Sequence, residues 1–162
     1  MGCMKILVDG YNLLYRIFQK DPMALQEEER EYLVDMLNAY KKIKAHKITI
    51  VFDGRSHEKI NTRGLTVIFT KESESADDYI KKFVRQNSGT VVVTSDNDIL
   101  SFVKNCGAVG IKSEEFYSKI EEAFYYELKG FREDEYIGAR VPIPGKKLKK
   151  NMRNKRKILE KL

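Results

Sequence analysis

Cysteine and histidine are almost missing from this chain of 162 residues: Cys3, Cys106, His46 and His57 are all it has. Two unspaced thiols make neither a disulfide framework nor a zinc cluster. Neither histidine has a ligand partner at helical or loop spacing. Chemistry built on thiolates or imidazoles is thereby set aside, and the expected compartment is a reducing cytoplasm. No apolar run approaches the ~18 residues of a membrane span, so no membrane partner is expected. The first apolar run ends at Asp9, too early for a signal peptide. Gly2 does not open a myristoylation motif, because residue 6 is Ile. Met1 to Cys3 read as an addition ahead of a native start at Met4. There is no G-x-x-x-x-G-K-[ST] loop and no G-x-G-x-x-G, so neither a nucleoside triphosphate nor a dinucleotide is the evident ligand. No internal repeat is visible.

What remains is a chain with 42% hydrophobic and 33% charged residues, long enough for one domain with a sizeable core. Its net charge of +6 is unevenly spread. Residues 146–162 hold nine Lys or Arg against Glu160 alone, a local +8 that leaves the rest at −2. Pro142, Pro144 and Gly145 break the chain just before this stretch. We expect a domain over 4–140 and a basic tail over 141–162. Lys146, Lys147, Lys149, Lys150, Arg153, Lys155, Arg156 and Lys157 are its expected phosphate contacts, supplying affinity without sequence choice. The plainer reading is a solvated tail that aids solubility.

Strand and helix signals alternate along the domain. Apolar runs at 5–9, 47–54, 65–70, 90–96 and near 108–111 read as strands. Between them, Leu25, Tyr32, Leu33, Met36, Leu37, Tyr40 and Ile43 fall three or four apart, one face of a helix over about 25–44. Further helices are expected at 75–87, with Ala76, Ile80, Phe83 and Val84 inward, after residue 96, and at 113–128. In the last, Phe116, Ile120, Ala123 and Phe124 point inward, as does one of Tyr125 and Tyr126. Nearly continuous apolar strands separated by amphipathic helices argue for an α/β fold with a mostly parallel sheet covered on both faces.

Three strands end on a carboxylate: KILVD on Asp9, VFDG on Asp53 and VVVTSD on Asp96. Ligands of open parallel sheets bind beyond the carboxyl ends of the strands, so these acids would converge if the strands are neighbours. Asp77 and Asp78 open a helix close by, and Asp98 follows Asp96. Singly, each has an ordinary explanation. Asp-Gly is a turn dipeptide, Asp77 and Asp78 suit a helix N-terminus, and Ser95 to Asp98 resembles a capping box. Collectively they repel one another, which only cations or raised pKa values relieve. Oxygen ligands without His or Cys favour a hard ion, Mg2+ or Mn2+. Such an ion suits phosphate chemistry, acidifying a water and offsetting charge on the leaving oxygen.

In their order and combination, VDGYNLL, VFDG, FTKESESADDYI and VVTSDNDI resemble the YacP-like NYN domain, a branch of the PIN-like nuclease superfamily, across residues 4 to about 128. The resemblance implies a three-layer α/β/α PIN-like fold and metal-dependent endonucleolytic hydrolysis of RNA, leaving 5′-phosphate and 3′-hydroxyl ends. It implies Asp9, Asp77 and Asp96 as principal metal ligands, and Asn12 as the residue that orients an acid or the scissile phosphate. Asn12 could equally cap the following helix. Asp53 would stand at the pocket's edge, with Glu74 and Asp78 as outer or second-metal groups; Asp98 does not carry over securely. Thr94 and Ser95 would line the site, and Tyr11, Tyr125 or Tyr126 could stack bases. Because the family includes RNases that act during translation, the ribosome is a further partner it admits. Two rivals stand beside this reading. One is an RNA-binding module of the same fold that has lost catalysis. The other is a receiver-type phosphorylation switch, with Asp53 as acceptor and Thr94 and Lys112 beside it, which lacks the paired acids such a switch carries on its first strand.

Overall fold

A computed structural model describes residues 3–21, 24, 27–54, 58–62, 65–129 and 150–162, the side chains of 58–62, 129, 150–154 and 156 excepted. Leu25, His57, Lys146, Lys147 and Lys149 lie outside the described residues.

The chain enters through β1 (Lys5–Asp9) and passes into two helices, α1 (Gly10–Phe18) and α2 (Glu27–Lys44). It returns through β2 (Lys47–Phe52), a hairpin of β3 (Glu58–Thr62) and β4 (Leu65–Phe69), α3 (Ala76–Gln86) and β5 (Thr90–Val93). Then follow α4 (Asn97–Asn105), β6 (Val109–Ile111), α5 (Ser113–Lys129) and the closing helix, here α6 (Lys150–Lys161). The strands form one six-stranded sheet in the order β3-β4-β2-β1-β5-β6. The run from β4 to β6 is parallel throughout, and β3 is antiparallel at the edge.

Alternation along the buried strands sorts the two faces. Ile6 and Val8 of β1, with Ile48, Ile50, Val91 and Val93, meet Leu13, Leu33, Leu37, Tyr40, Phe116 and Ile120 from α1, α2 and α5. Leu7, Val51 and Val92 point the other way, onto Ala76, Ile80, Val84, Ile99 and Val103 from α3 and α4. The result is the three-layer α/β/α arrangement that strands apolar on both faces require. Ser75 caps α3, its side chain accepting from the Asp78 amide at 3.1 Å.

Several expectations are corrected. Tyr32 is half-exposed at 50%, meeting the Phe18 ring edge-on rather than entering the core. Among the described residues, neither Tyr125 nor Tyr126 packs on the core cluster; their rings meet each other at 5.5 Å. Asp96, not Ser95, caps α4. Strand β3 carries the sequence EKINT, which has no apolar alternation to announce it.

The basic tail contains α6, and α6 returns to the domain. Leu162 is 3% exposed, and Ile158 and Leu159 pack on the larger cluster. The Tyr40 hydroxyl donates to the Leu162 carbonyl at 3.1 Å. His46 bridges the Met4 amide, 3.2 Å from Nδ1, and the Lys161 carbonyl, 3.1 Å from Nε2. Since Met4 N–H can only donate, Nδ1 carries no proton and Nε2 donates. Burial, with Lys44 and Lys161 nearby, lowers the imidazole pKa and keeps this neutral tautomer in place. Lys155 also pairs with Glu115 of α5 at 3.2 Å.

The turn from β1 into α1 depends on Gly10. A Cβ there would overlap the buried Phe52 ring and touch Ile50. Gly10→Ala should destabilise the fold by about 1–3 kcal/mol through overpacking, read as a lowered denaturation midpoint with an unchanged slope.

Candidate active site

Successive crossovers run from β1 to β2 and β4, then reverse to β5 and β6, so the chain changes direction between β1 and β5. This is the switch point at which the carboxyl ends of parallel strands leave a crevice. Asp9 ends β1 there, and Thr94, Ser95 and Asp96 follow β5.

Asp9 is 8% exposed. Its Oδ2 accepts a 3.1 Å hydrogen bond from the Thr94 hydroxyl, whose oxygen in turn accepts the Asp96 amide at 3.2 Å. That bond does not compensate for burial. Desolvation first, then the charges of Asp77 and Asp53, push the Asp9 pKa up to about 7, against the pull of Thr94 and the Asn12 amide. Asp77 is also raised, by its own desolvation and then by Asp96 and Asp53, with Lys81 opposing.

Each of the three strand-end acids commits one oxygen to the fold. Asp53 Oδ1 accepts the Ala76 amide at 2.7 Å, fixing the start of α3, and lies 3.5 Å from the Thr70 hydroxyl. Asp96 Oδ1 accepts the amides of Asp98 and Ile99 at 2.8 and 3.3 Å, capping α4. Asp9 uses Oδ2 for Thr94. Among the described residues, the second oxygens of Asp53 and Asp96 have no protein partner, while Asp9 also receives the Asn12 amide.

Asn12 is the joint of the site. It lies inside α1 rather than at its cap, which is Asp9. Its Oδ1 accepts the Ser95 amide at 2.9 Å and the Ser113 hydroxyl at 2.7 Å. The Ser113 amide donates to Ser95 Oγ at 3.1 Å, and that hydroxyl donates to Glu114 Oε2 at 2.7 Å. Arg16 Nε closes the set on Glu114 Oε1 at 3.0 Å. The Ser95 bond, more than the arginine, holds the Glu114 pKa down. Thus α1, the β5–α4 turn and the start of α5 are cross-linked beside the acids.

The family model of the YacP-like NYN domain matches residues 6–161. The chain belongs to this family. It is 33% identical to YacP of Bacillus subtilis (strain 168) over 127 residues, 72% of this chain and 74% of that protein. Its structure resembles a crystal structure of a mutant of Rae1 (YacP) from Bacillus subtilis, with TM-score 0.67 and 30% identity over 78% of this chain and 80% of that one. A second Rae1 (YacP) crystal structure gives TM-score 0.62 and 25% identity over 96% and 90%. The fold is thus the PIN-like nuclease fold of this YacP-like NYN family. No helix among the described residues is long and apolar enough to cross a membrane.

PIN-like nucleases of this kind generally use divalent metals, and the donor set here suits one. Carboxylate oxygens alone fit a hard cation, and the raised acids are groups that a cation would relieve. Among the described residues, no three acidic, His or Cys side chains stand close enough to surround an ion as they are.

The expected residues divide. Asp77 and Asp53 raise Asp9, and Asp96, Asp53 and Asp78 raise Asp77. Asp98 is exposed in the first turn of α4, and none of these shifts involves it. Glu74 acts on Tyr79 instead. Tyr11 is half-buried, its ring 5.0 Å from Phe52 and its hydroxyl 3.4 Å from Arg30. Lys155 is half-buried and Lys157 exposed on α6; the side chains of Lys150, Arg153 and Arg156 lie outside the described residues. Sequence reasoning missed Ser113, Glu114 and Arg16. K-S-E-E after a short strand marks a helix start, but nothing local ties it to Asn12.

The folded chain holds the Asp9 proton up to about 7, against an ordinary value of 3.8. Stability from the neutral carboxyl is complete below the ordinary value and is lost as pH rises through the folded one. Asp9→Asn, which mimics the neutral form, should exceed the wild type at pH 8 in metal-free buffer by more than about 1 kcal/mol. The gap should close by pH 4. Urea melts across that range read it, and a gap that does not depend on pH refutes the assignment.

Proposed function

We propose that this protein is a metal-dependent endoribonuclease. The observation that carries the reading is the gathering of Asp9, Asp53, Asp77 and Asp96 at the switch point of a YacP-like NYN domain, where burial and then the neighbouring acids raise Asp9 and Asp77. Asp9, Asp77 and Asp96 would hold a Mg2+ or Mn2+ ion, with Asp53 and Asp78 at the edge and Asp98 as the outermost acid. Once bound, the ion supplies an acidified water and offsets charge on the scissile phosphate.

The protein's own groups do the rest. Asn12, through the Ser95 amide, holds the turn that presents Asp96. Thr94 fixes the orientation of Asp9. Half-buried Ser95 in the β5–α4 turn would line the path of an RNA strand, with Tyr11 flanking it. The cations of the basic segment add non-specific attraction to phosphates. Carboxylates without an ion would repel RNA, which argues against the inactive binding module. The receiver-type reading loses its acceptor, because Asp53 Oδ1 is occupied at the start of α3.

Labelled single-stranded and structured RNAs, matching DNAs and ribosome-bound RNA, each with Mg2+, Mn2+ or EDTA, test this. The wild type should cut RNA to 5′-phosphate and 3′-hydroxyl ends, with EDTA abolishing the cuts. Asp96→Asn should lower the rate by more than about 100-fold. Mn2+ should broaden amide signals around Asp9 and Asp77, a readout free of activity. RNA binding without cleavage in every arm, together with no Mn2+ effect, overturns the enzyme in favour of the binding module.

A further inference from the structure

At the end of the sheet opposite the acids, α6 lies across the first residues of β5 and β6 and leaves a cleft of about 290 Å³. Ser88, Gly89 and Thr90 form one wall, Gly107 lies on another, and Lys157 and Lys161 of α6 overhang it. No acidic side chain lines it. The two lysines are exposed and, among the described residues, neither side chain has an acidic partner. One helical turn apart, they repel each other. Gly89 and Gly107 leave open space where a side chain would begin, so backbone faces the cleft at both positions.

Two unpaired like charges and bare backbone around one cavity share a single remedy, a compact anion rich in acceptors. We infer that this cleft binds a phosphate group, carried either by a free mononucleotide or by an RNA strand. Lys157 and Lys161 neutralise its charge, and Ser88 with the Gly89 backbone supplies hydrogen bonds. The cavity is larger than a phosphate alone needs, leaving room for an attached ribose. Because α6 forms one side, a bound phosphate ties the closing helix to the sheet and stabilises its docking. The site does not depend on the nuclease reading, since its residues lie at the other ends of the strands from Asp9 and Asp96.

Calorimetric titration and amide NMR on the full chain test this with inorganic phosphate, AMP, adenosine, and a short RNA with or without a 5′-phosphate. AMP should bind and shift the Gly89 and Gly107 signals, adenosine should not, and added salt should weaken binding. Lys157→Gln with Lys161→Gln should weaken binding by at least about tenfold. Gly89→Glu, which has space and places a carboxylate at the mouth, should do the same without loss of fold. Asp96→Asn should bind as the wild type does. Phosphate-bearing RNA binding in place of AMP, or only when its 5′-phosphate is present, assigns the source. No binding by any phosphate probe, or binding unchanged in the lysine and Gly89 variants, overturns the site.

Discussion

The hydrogen bond from Thr94 to Asp9 joins the ends of the two central strands, and the site is organised around the charge this bond fails to satisfy. A carboxylate 8% exposed at the end of β1 cannot move out to water without unpairing its strand. The Thr94 hydroxyl and the Asn12 amide are too little to offset its desolvation, and the neighbouring acids make matters worse. The fold therefore maintains an electrostatic tension of a kind characteristic of functional sites rather than of packing. Cation binding and protonation are the two ways to relieve it, and near neutral pH they compete for the same oxygens.

That tension survives because the surroundings are over-determined. Asn12 ties together segments 83 and 101 residues away along the chain. Asp53 and Asp96 are each structural at one oxygen, holding the first turns of α3 and α4. A carboxylate that caps a helix has its rotamer fixed by the amides it accepts, which pre-orients its other oxygen. Removing either acid thus removes a cap as well as a charge. Asn in its place keeps an acceptor for the amides, and so separates the two roles more cleanly than Ala.

Legibility followed the physical range of each signal. The apolar runs of β1, β2, β4 and β5 announced buried parallel strands, and acids at their ends pointed to the switch point because strand order and crevice follow from the βα alternation. Local composition could not give β3, whose strand character comes from pairing with β4. Nor could it show that α6 docks: among so many cations, Ile158, Leu159 and Leu162 are a thin apolar stripe. What holds α6 is non-local, namely Tyr40 and His46 reaching its last carbonyls. Tyr11 looked free to stack bases because a tyrosine beside a strand end is silent about Phe52. Ser95 looked like a cap because the motif does not reveal that Asp96, one residue on, accepts the amides instead.

The positions of the two charge sets complete the picture. Acids gather at the carboxyl ends of the strands, while the lysines of α6 lie at the amino ends of β5 and β6. Strand β5 is four residues long, roughly 13 Å at the usual rise per residue, which exceeds the ~8 Å screening length at physiological salt. Cations docked beside Asp9 and Asp96 would pair with them, lower their pKa values and remove the demand for a metal ion. By fastening α6 through the neutral His46, the Tyr40 hydroxyl and the distant Glu115, the fold keeps Lys157 and Lys161 away from the strand-end acids. Each end would then suit a ligand of the opposite charge, as proposed above: a cation at the carboxyl edge of the sheet, a phosphate at the amino edge.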